Sequence, residues 1–350
     1  MDHIVGADDR ILVTGAAGFI GRRVVERLLD RGFRNVRCFA RPAPDRKSVE
    51  AITGGPGSAR VDLFQGNLLS QEDCDAAASG AAVILHLAAG RGEKSFPDAF
   101  MNSVVTTRNL LEAARRHRCL RRFVTVSSFA VYAGHSRGRR RLLDESFPIE
   151  PHPERRGDAY SFAKVKQDAL VTEYGKRFGI PYVIVRPGYV YGPGNEAITG
   201  RVGIGTFGLF LHLGGPNTLP LTYVENCAEA IVLAGLTPGI DGEVFNVVDD
   251  DLPSSRQFLG LYKRHVRRFR SIYLPHAMSY ALASLWERYS NWSEGQLPPV
   301  FTRSSWHAYW GRARYTNEKL KTRLGWTPRV PTGVALQRFF QSCREKALDA

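Results

Sequence analysis

The sequence predicts an α/β chain: an open parallel sheet, doubly wound, with helices on both faces. Three observations carry this. Residues 10–21 read as a strand, a glycine turn and a helix start, with Gly15, Gly18 and Gly21 spaced by three. Apolar or β-branched runs then alternate with helical patterns out to residue 186, the order that builds a parallel sheet. The composition is globular: 43% of the 350 residues are hydrophobic, enough for a large core and one or two domains.

In the first unit, residues 11–14 form the strand, and Ile20, Val24, Val25, Leu28 and Leu29 share one helical face. Gly32 stands where a helix-ending glycine would. Such a turn aims backbone N–H groups and the positive helix end at a phosphate, so Gly15, Ala17, Gly18, Phe19 and Ile20 are the candidate cradle. Residues 35–40 are the second strand, and Arg41 comes directly after it. Dinucleotide-binding units usually carry an acidic residue there, gripping a ribose 2′-hydroxyl. An Arg attracts a 2′-phosphate instead, which favours NADPH and leaves NADH open. Arg22 and Arg37 are weaker candidates for the same phosphate. Residues 60–67 and 83–90 are the third and fourth strands. The small tail Ala88-Ala89-Gly90 leaves room for a cofactor. A helix spans 102–116. The fifth strand, 122–128, ends in Ser127 and Ser128 at the sheet edge where open α/β sheets place their chemistry. Arg137, Arg139, Arg140 and Arg141 form a basic run, solvated or in contact with phosphates. A helix opening at Asp158 puts Tyr160 and Lys164, four apart, on one face. Residues 182–186 are the sixth strand.

The net charge of +14 suits an anionic partner, whether a nucleotide, a nucleotide sugar, nucleic acid or an acidic membrane surface. No nucleic-acid motif accompanies it. No run of 18 apolar residues marks a membrane span. The first ten residues lack the order of a signal peptide. Five scattered cysteines, with no metal-ligand spacing, fit reduced thiols in a cytoplasmic protein.

Four motifs stand in order: Thr14-Gly15-Ala16-Ala17-Gly18-Phe19-Ile20-Gly21, Ser127-Ser128-Phe129-Ala130-Val131-Tyr132, Tyr160-Ser161-Phe162-Ala163-Lys164, and Arg186-Pro187-Gly188-Tyr189-Val190-Tyr191-Gly192-Pro193-Gly194. Together they resemble the extended short-chain dehydrogenase/reductase family, also called the NAD-dependent epimerase/dehydratase family. The resemblance covers nearly the whole chain, including Leu324-Gly325-Trp326-Thr327-Pro328. It implies a Rossmann domain (1–186 and 223–249) interleaved with a smaller substrate domain (187–222 and 250–350). Residues 243–248 would return to the large sheet. It also implies cofactor contacts at Asn67, Leu68, Leu87, Ala88, Ala89, Pro187 and Gly188, and a homodimer built on helices 102–116 and 160–177.

The resemblance assigns catalysis to Ser128, Tyr160 and Lys164. The chemistry stands on its own terms: a Lys ammonium about 4 Å from a phenolate, at an effective dielectric near 20, stabilises it by roughly 4 kcal/mol, about three pKa units. A tyrosine made acidic in this way can exchange a proton with a hydroxyl or ketone, and Lys164 would also hold the nicotinamide ribose. Counting back four residues from Tyr132 selects Ser128 over Ser127. There are three departures from the family pattern. Phe129-Ala130 replace the Asp-Glu pair of dehydratases, which argues against elimination. Asn67 replaces an adenine-binding Asp. Asp168 stands where Glu is frequent, with little effect expected.

On the substrate side, residues 199–205 are glycine-rich, Arg201, Arg256 and Arg303 are possible anion ligands, and residues 274–289 read as an apolar helix. All five tryptophans lie in this half. They could pack a core, line an apolar pocket or touch a membrane surface. Three functions stay open: an epimerase or reductase of a nucleotide sugar; an NADPH-dependent reductase or dehydrogenase of an apolar alcohol or ketone, like the hydroxysteroid dehydrogenases; and a dinucleotide-binding sensor without turnover.

Overall fold

The computed structural model describes residues 3–41, 60–90, 95–134, 142–206, 208–293, 296 and 301–348. Residues 42–59 and the basic run 137–141 lie outside the described residues. Seven strands form the main sheet: β1 (Arg10–Thr14), β2 (Asn35–Ala40), β3 (Arg60–Gln65), β4 (Ala81–His86), β5 (Arg122–Val126), β6 (Tyr182–Pro187) and β7 (Val244–Val247). Their spatial order is 3-2-1-4-5-6-7, and every neighbouring pair is parallel. This is the predicted Rossmann-like α/β fold.

The helices are α1 (Gly21–Asp30), α2 (Gln71–Ala78), α3 (Thr106–His117), α4 (Ala159–Phe178), α5 (Val224–Leu236), α6 (Ser255–His265), α7 (His276–Trp292) and α8 (Arg303–Trp310), with Glu318–Leu324 and Thr332–Leu348 after them. The two-residue period of a strand sorts β1 between two cores. Ile11 and Val13 join Val24, Val25 and Leu28 of α1 and the apolar residues of α5 on one face. Leu12 joins residues of α2, α3 and α4 on the other. Central β4 is covered on both faces, so all six of its residues are buried.

Three strands stop short of their sequence boundaries. β3 ends at Gln65, β4 at His86 and β5 at Val126. Beyond these ends the chain leaves the sheet edge as loop, and Asn67, Leu68, Leu87, Ala88, Ala89 and Ser128 lie in those tails. Residues 96–105 are also helical, an α-turn (Phe96–Ala99) and a π-helical stretch (Phe100–Val105) running into α3.

A third cluster packs Tyr191, Leu221 and Tyr223 against Phe258, Phe339 and Phe340. Beside it a small sheet joins strands Gly203–Thr206, Leu209–His212 and Ser271–Tyr273. Trp306, Trp310 and Trp326 are buried, and the last packs on the main core. Trp286 and Trp292 are not, at 37% and 77% exposed.

Candidate active site

The order 3-2-1-4 reverses the winding direction between β1 and β4, and open α/β sheets bind ligands at the carboxyl ends flanking that point. Gly15 begins the turn there with φ +69°, and a Cβ on it would lie 2.9 Å from the Ala88 backbone nitrogen. Gly18 closes the turn through its N–H to the Gly15 carbonyl at 3.0 Å. A Cβ on Gly21 would overlap that same carbonyl, so α1 can start this close only without a side chain. The Phe19 and Ile20 side chains pack toward the third cluster, while Ala17 is half-buried and Gly18 exposed. A ligand reaching this turn meets backbone. The cradle fits a pyrophosphate: glycines where any side chain would collide, at the positive end of α1.

Around this point, Arg41 is exposed just past the end of β2. Arg37 is committed elsewhere, to Asp62 at 2.7 Å and to the Ala76 carbonyl at 3.0 Å. Arg22 donates to the Pro193 carbonyl at 3.3 Å and so ties α1 to the loop after β6. The Asn67 Oδ1 accepts the Leu69 N–H at 3.0 Å, which uses one of its two lone pairs for the turn after β3. Leu68 is buried, and its carbonyl accepts from Asn109 at 3.0 Å. Leu87, Ala88 and Ala89 are half-buried at the β4 edge. Pro187 ends β6, and the N–H of Gly188 bonds the Val247 carbonyl at 3.0 Å.

α4 carries Tyr160 and Lys164. Asp158 caps it, its carboxylate accepting the Tyr160 N–H at 3.1 Å and the Ser161 hydroxyl. The Lys164 Nζ lies 6.0 Å from the centre of the Tyr160 ring. Lys164 is only 3% exposed. Its Nζ donates to the Val126 carbonyl at 2.7 Å and to Gln167 Oε1 at 2.9 Å. Burial pulls its pKa down to about 8, with Asp168 opposing.

Ser127 and Ser128 separate clearly. Ser127 is buried beside Asp168, whereas Ser128 is half-buried in extended backbone, its Oγ accepting the Ala130 N–H at 3.2 Å. Phe129 stacks on Tyr315, with ring centres 5.7 Å apart, in the place where a dehydratase would hold a carboxylate.

Two buried networks stand behind these residues, and neither was read from the sequence. In the first, Gln167 Nε2 donates to the Thr107 hydroxyl at 2.8 Å. That hydroxyl lies 2.9 Å from His86 Nε2, and His86 Nδ1 lies 2.7 Å from the Thr14 hydroxyl. The chain therefore runs from the glycine turn to Lys164. Burial, with Lys164 nearby, pulls the His86 pKa down to about 3, so the ring is neutral. A histidine ending an otherwise apolar strand was the available signal, since a buried polar group must find partners. In the second network, Arg186 donates to Asp168 at 3.0 Å and to the Tyr132 hydroxyl at 3.2 Å, and Tyr132 donates to Asn246 at 2.6 Å. Asp168 is thus one half of a buried ion pair, raised in pKa by burial and held down by Arg186.

Of the substrate-side candidates, Arg303 is exposed and paired with Glu287 at 2.9 Å. Arg256 lies over the Tyr273 ring, 5.3 Å from its centre. Arg201 donates to the Ala308 carbonyl at 3.0 Å. The glycine-rich segment becomes the edge strand Gly203–Thr206. Its Ile204, with Leu211, Leu282, Leu285, Trp286 and Tyr289 among others, lines an apolar groove of about 1110 Å³. Among the described residues no cluster of His, Cys, Asp or Glu could hold a metal.

Residues 11–247 match the NAD dependent epimerase/dehydratase family. The chain is 30% identical over 251 residues to a protein of Bacillus subtilis (strain 168) described as an uncharacterized UDP-glucose epimerase, YtcB, covering 68% of this chain and 76% of that one. It is 26% identical to the 3beta-hydroxysteroid-dehydrogenase/decarboxylase isoform 1 of Arabidopsis thaliana, over 95% of this chain and 79% of that one. Its fold is similar to that of UDP-glucuronic acid 4-epimerase from Bacillus cereus, solved with UDP-glucuronic acid and NAD. The TM-score is 0.72 at 23% identity, over 96% of this chain and 99% of that one.

Proposed function

This chain belongs to the NAD dependent epimerase/dehydratase family and is an enzyme of the short-chain dehydrogenase type, and from that premise we propose that it moves a hydride between a nicotinamide dinucleotide and a hydroxyl- or ketone-bearing carbon of a nucleotide sugar. The observation that carries this reading is the Tyr160–Lys164 pair at the sheet edge that also holds the glycine turn. In this reading Gly15, Ala17, Gly18, Phe19 and Ile20 hold the pyrophosphate, Asn67 and Leu68 flank the adenine, and Leu87, Ala88, Ala89, Pro187 and Gly188 wall the crevice. When bound, the dinucleotide supplies the hydride donor or acceptor. Tyr160 takes or gives the proton at the substrate oxygen. Ser128 donates a hydrogen bond to that oxygen. Lys164 holds the phenol acidic. Arg41 selects the 2′-phosphate, which makes NADP the favoured form. The division into 1–186 with 223–249 and 187–222 with 250–350 is part of the same reading, supported by the third apolar cluster, largely of C-terminal residues. So is a homodimer through α3 and α4.

The sugar reading draws support from the Bacillus relative's description and from the ligands of the fold's neighbours. A second reading, reduction or oxidation of an apolar alcohol or ketone, is favoured by the apolar groove and by the similarity to the Arabidopsis enzyme. Identifying by mass the nucleotide retained through purification separates them. A dinucleotide held tightly, with interconversion of a UDP-sugar at its C4, supports the first reading. Protein that retains no nucleotide yet steadily consumes NADPH with an apolar ketone defeats it and supports the second.

A further inference from the structure

A surface helix ordinarily buries its large apolar residues and turns small and polar ones outward. α7 does the reverse. It packs inward through Ser279, Ala283 and Ser290, all buried, with Tyr280 a large side chain also set against the core, edge-on to Trp306. Outward it turns Met278, Leu282, Leu285, Trp286, Tyr289 and Trp292, between 37% and 77% exposed. The spacing of these residues puts them on one stripe about four turns long.

The stripe does not stand alone. In the small sheet, Ile204 pairs with Leu211, and Leu211 with Ile272. Paired residues share a sheet face, and Ile204 and Ile272 are 43% and 52% exposed. Ile204 and Leu211 line the same groove as Leu282 and Leu285. An apolar surface on this scale marks an interaction site.

Its chemistry indicates the occupant. Immediately before Ile272 the chain carries Arg264, Arg267, Arg268 and Arg270, all exposed. Four guanidinium groups within seven residues, leading into an apolar strand, are the charge pattern that attracts anionic lipid headgroups. The stripe is rich in Trp and Tyr, whose amphipathic rings settle at the headgroup level. No described helix is long and apolar enough to cross a membrane, so such a helix would lie in the interface plane.

We propose that α7 and the adjoining Ile204–Leu211–Ile272 ladder dock on an anionic lipid bilayer, with the arginines of 264–270 against the headgroups. The apolar groove then opens onto the lipid phase. This inference does not depend on the nature of the substrate.

Flotation of the full-length protein with vesicles tests it, using phosphatidylcholine alone and phosphatidylcholine with phosphatidylglycerol. Strong binding to the anionic vesicles, weaker binding to the neutral ones and release by salt are expected. The double variant Leu285→Asp/Trp292→Asp should lower vesicle affinity at least tenfold. Arg267→Gln/Arg268→Gln should remove most of the preference for the anionic lipid. An unchanged melting temperature and dinucleotide affinity show that the variants are folded. No binding to either vesicle overturns the proposal, as does equal binding by the folded variants. So does a wild-type dimer that ignores vesicles and that Leu285→Asp/Trp292→Asp converts to monomer, because the face would then be covered by a second copy.

Discussion

Lys164 is both charged and buried, so its ionisation depends on the two oxygens that receive its hydrogens. Removing an acceptor from a charged donor costs about 1.5–3 kcal/mol. Gln167→Leu should therefore lower the Lys164 pKa below its value of about 8 by about one to two units. In the proposed mechanism the alkaline limb of the kcat/KM profile should move to lower pH by that amount, because the ammonium assigned to keep Tyr160 acidic would be lost sooner. Gln167→Glu adds a negative charge and should move the limb the other way. Profiles that coincide for all three proteins would show that Gln167 does not set the charge on Lys164. Arg41 makes an independent claim. Arg41→Asp should weaken NADPH far more than NADH in fluorescence titration, and an equal loss would mean that it does not read the 2′-phosphate. The two residues were differently legible. Arg41 is marked by its place after a strand in a recognisable unit. Gln167 lies three residues past Lys164 and gains meaning only when Thr107 and His86, distant in sequence, arrive beside it.

At the scale of elements, the glycine turn and α1 form one object. Gly→Ala inside a helix gains about 1 kcal/mol of intrinsic propensity. Overpacking typically costs 1–3 kcal/mol, and at Gly21 the obstacle is backbone, the Gly15 carbonyl, which cannot rotate away. The clash should win. Gly21→Ala is expected to lower the melting temperature and to weaken dinucleotide binding, and a more stable protein with intact binding would contradict the close-approach account. The pairing of α4 with β6 is equally concrete. Asp168→Asn leaves the Arg186 charge buried without its carboxylate, a change that costs about 3–5 kcal/mol. Chemical denaturation should show that loss; a cost under about 1 kcal/mol would mean the pair is dispensable. The strands and helices were legible because their periods are local. The partnership of Asp168 with Arg186 was not, since 18 residues and a change of element separate them.

At the scale of the whole molecule, the parallel doubly wound sheet and its glycine turn were legible in the N-terminal half, where the spacing of the motif has a mechanical reason. The C-terminal half resisted reading. A helix with an apolar stripe looks the same in sequence whether the stripe faces a core or solvent, and only the packing of Ser279, Ala283 and Ser290 decides which. The glycine-rich segment 199–205 likewise names no structure in sequence, and its end forms the edge strand Gly203–Thr206. What unites the molecule is the claim that a phenol on α4, kept acidic by a buried ammonium, handles the proton while the β1–β4 crevice holds the dinucleotide. The direct test is Tyr160→Phe, measured twice: dinucleotide affinity by fluorescence titration, and turnover with the substrate that the wild-type enzyme accepts. Affinity should be unchanged and turnover should fall by about 10²–10⁴, the usual contribution of a general acid–base. Undiminished turnover in the variant would contradict the account.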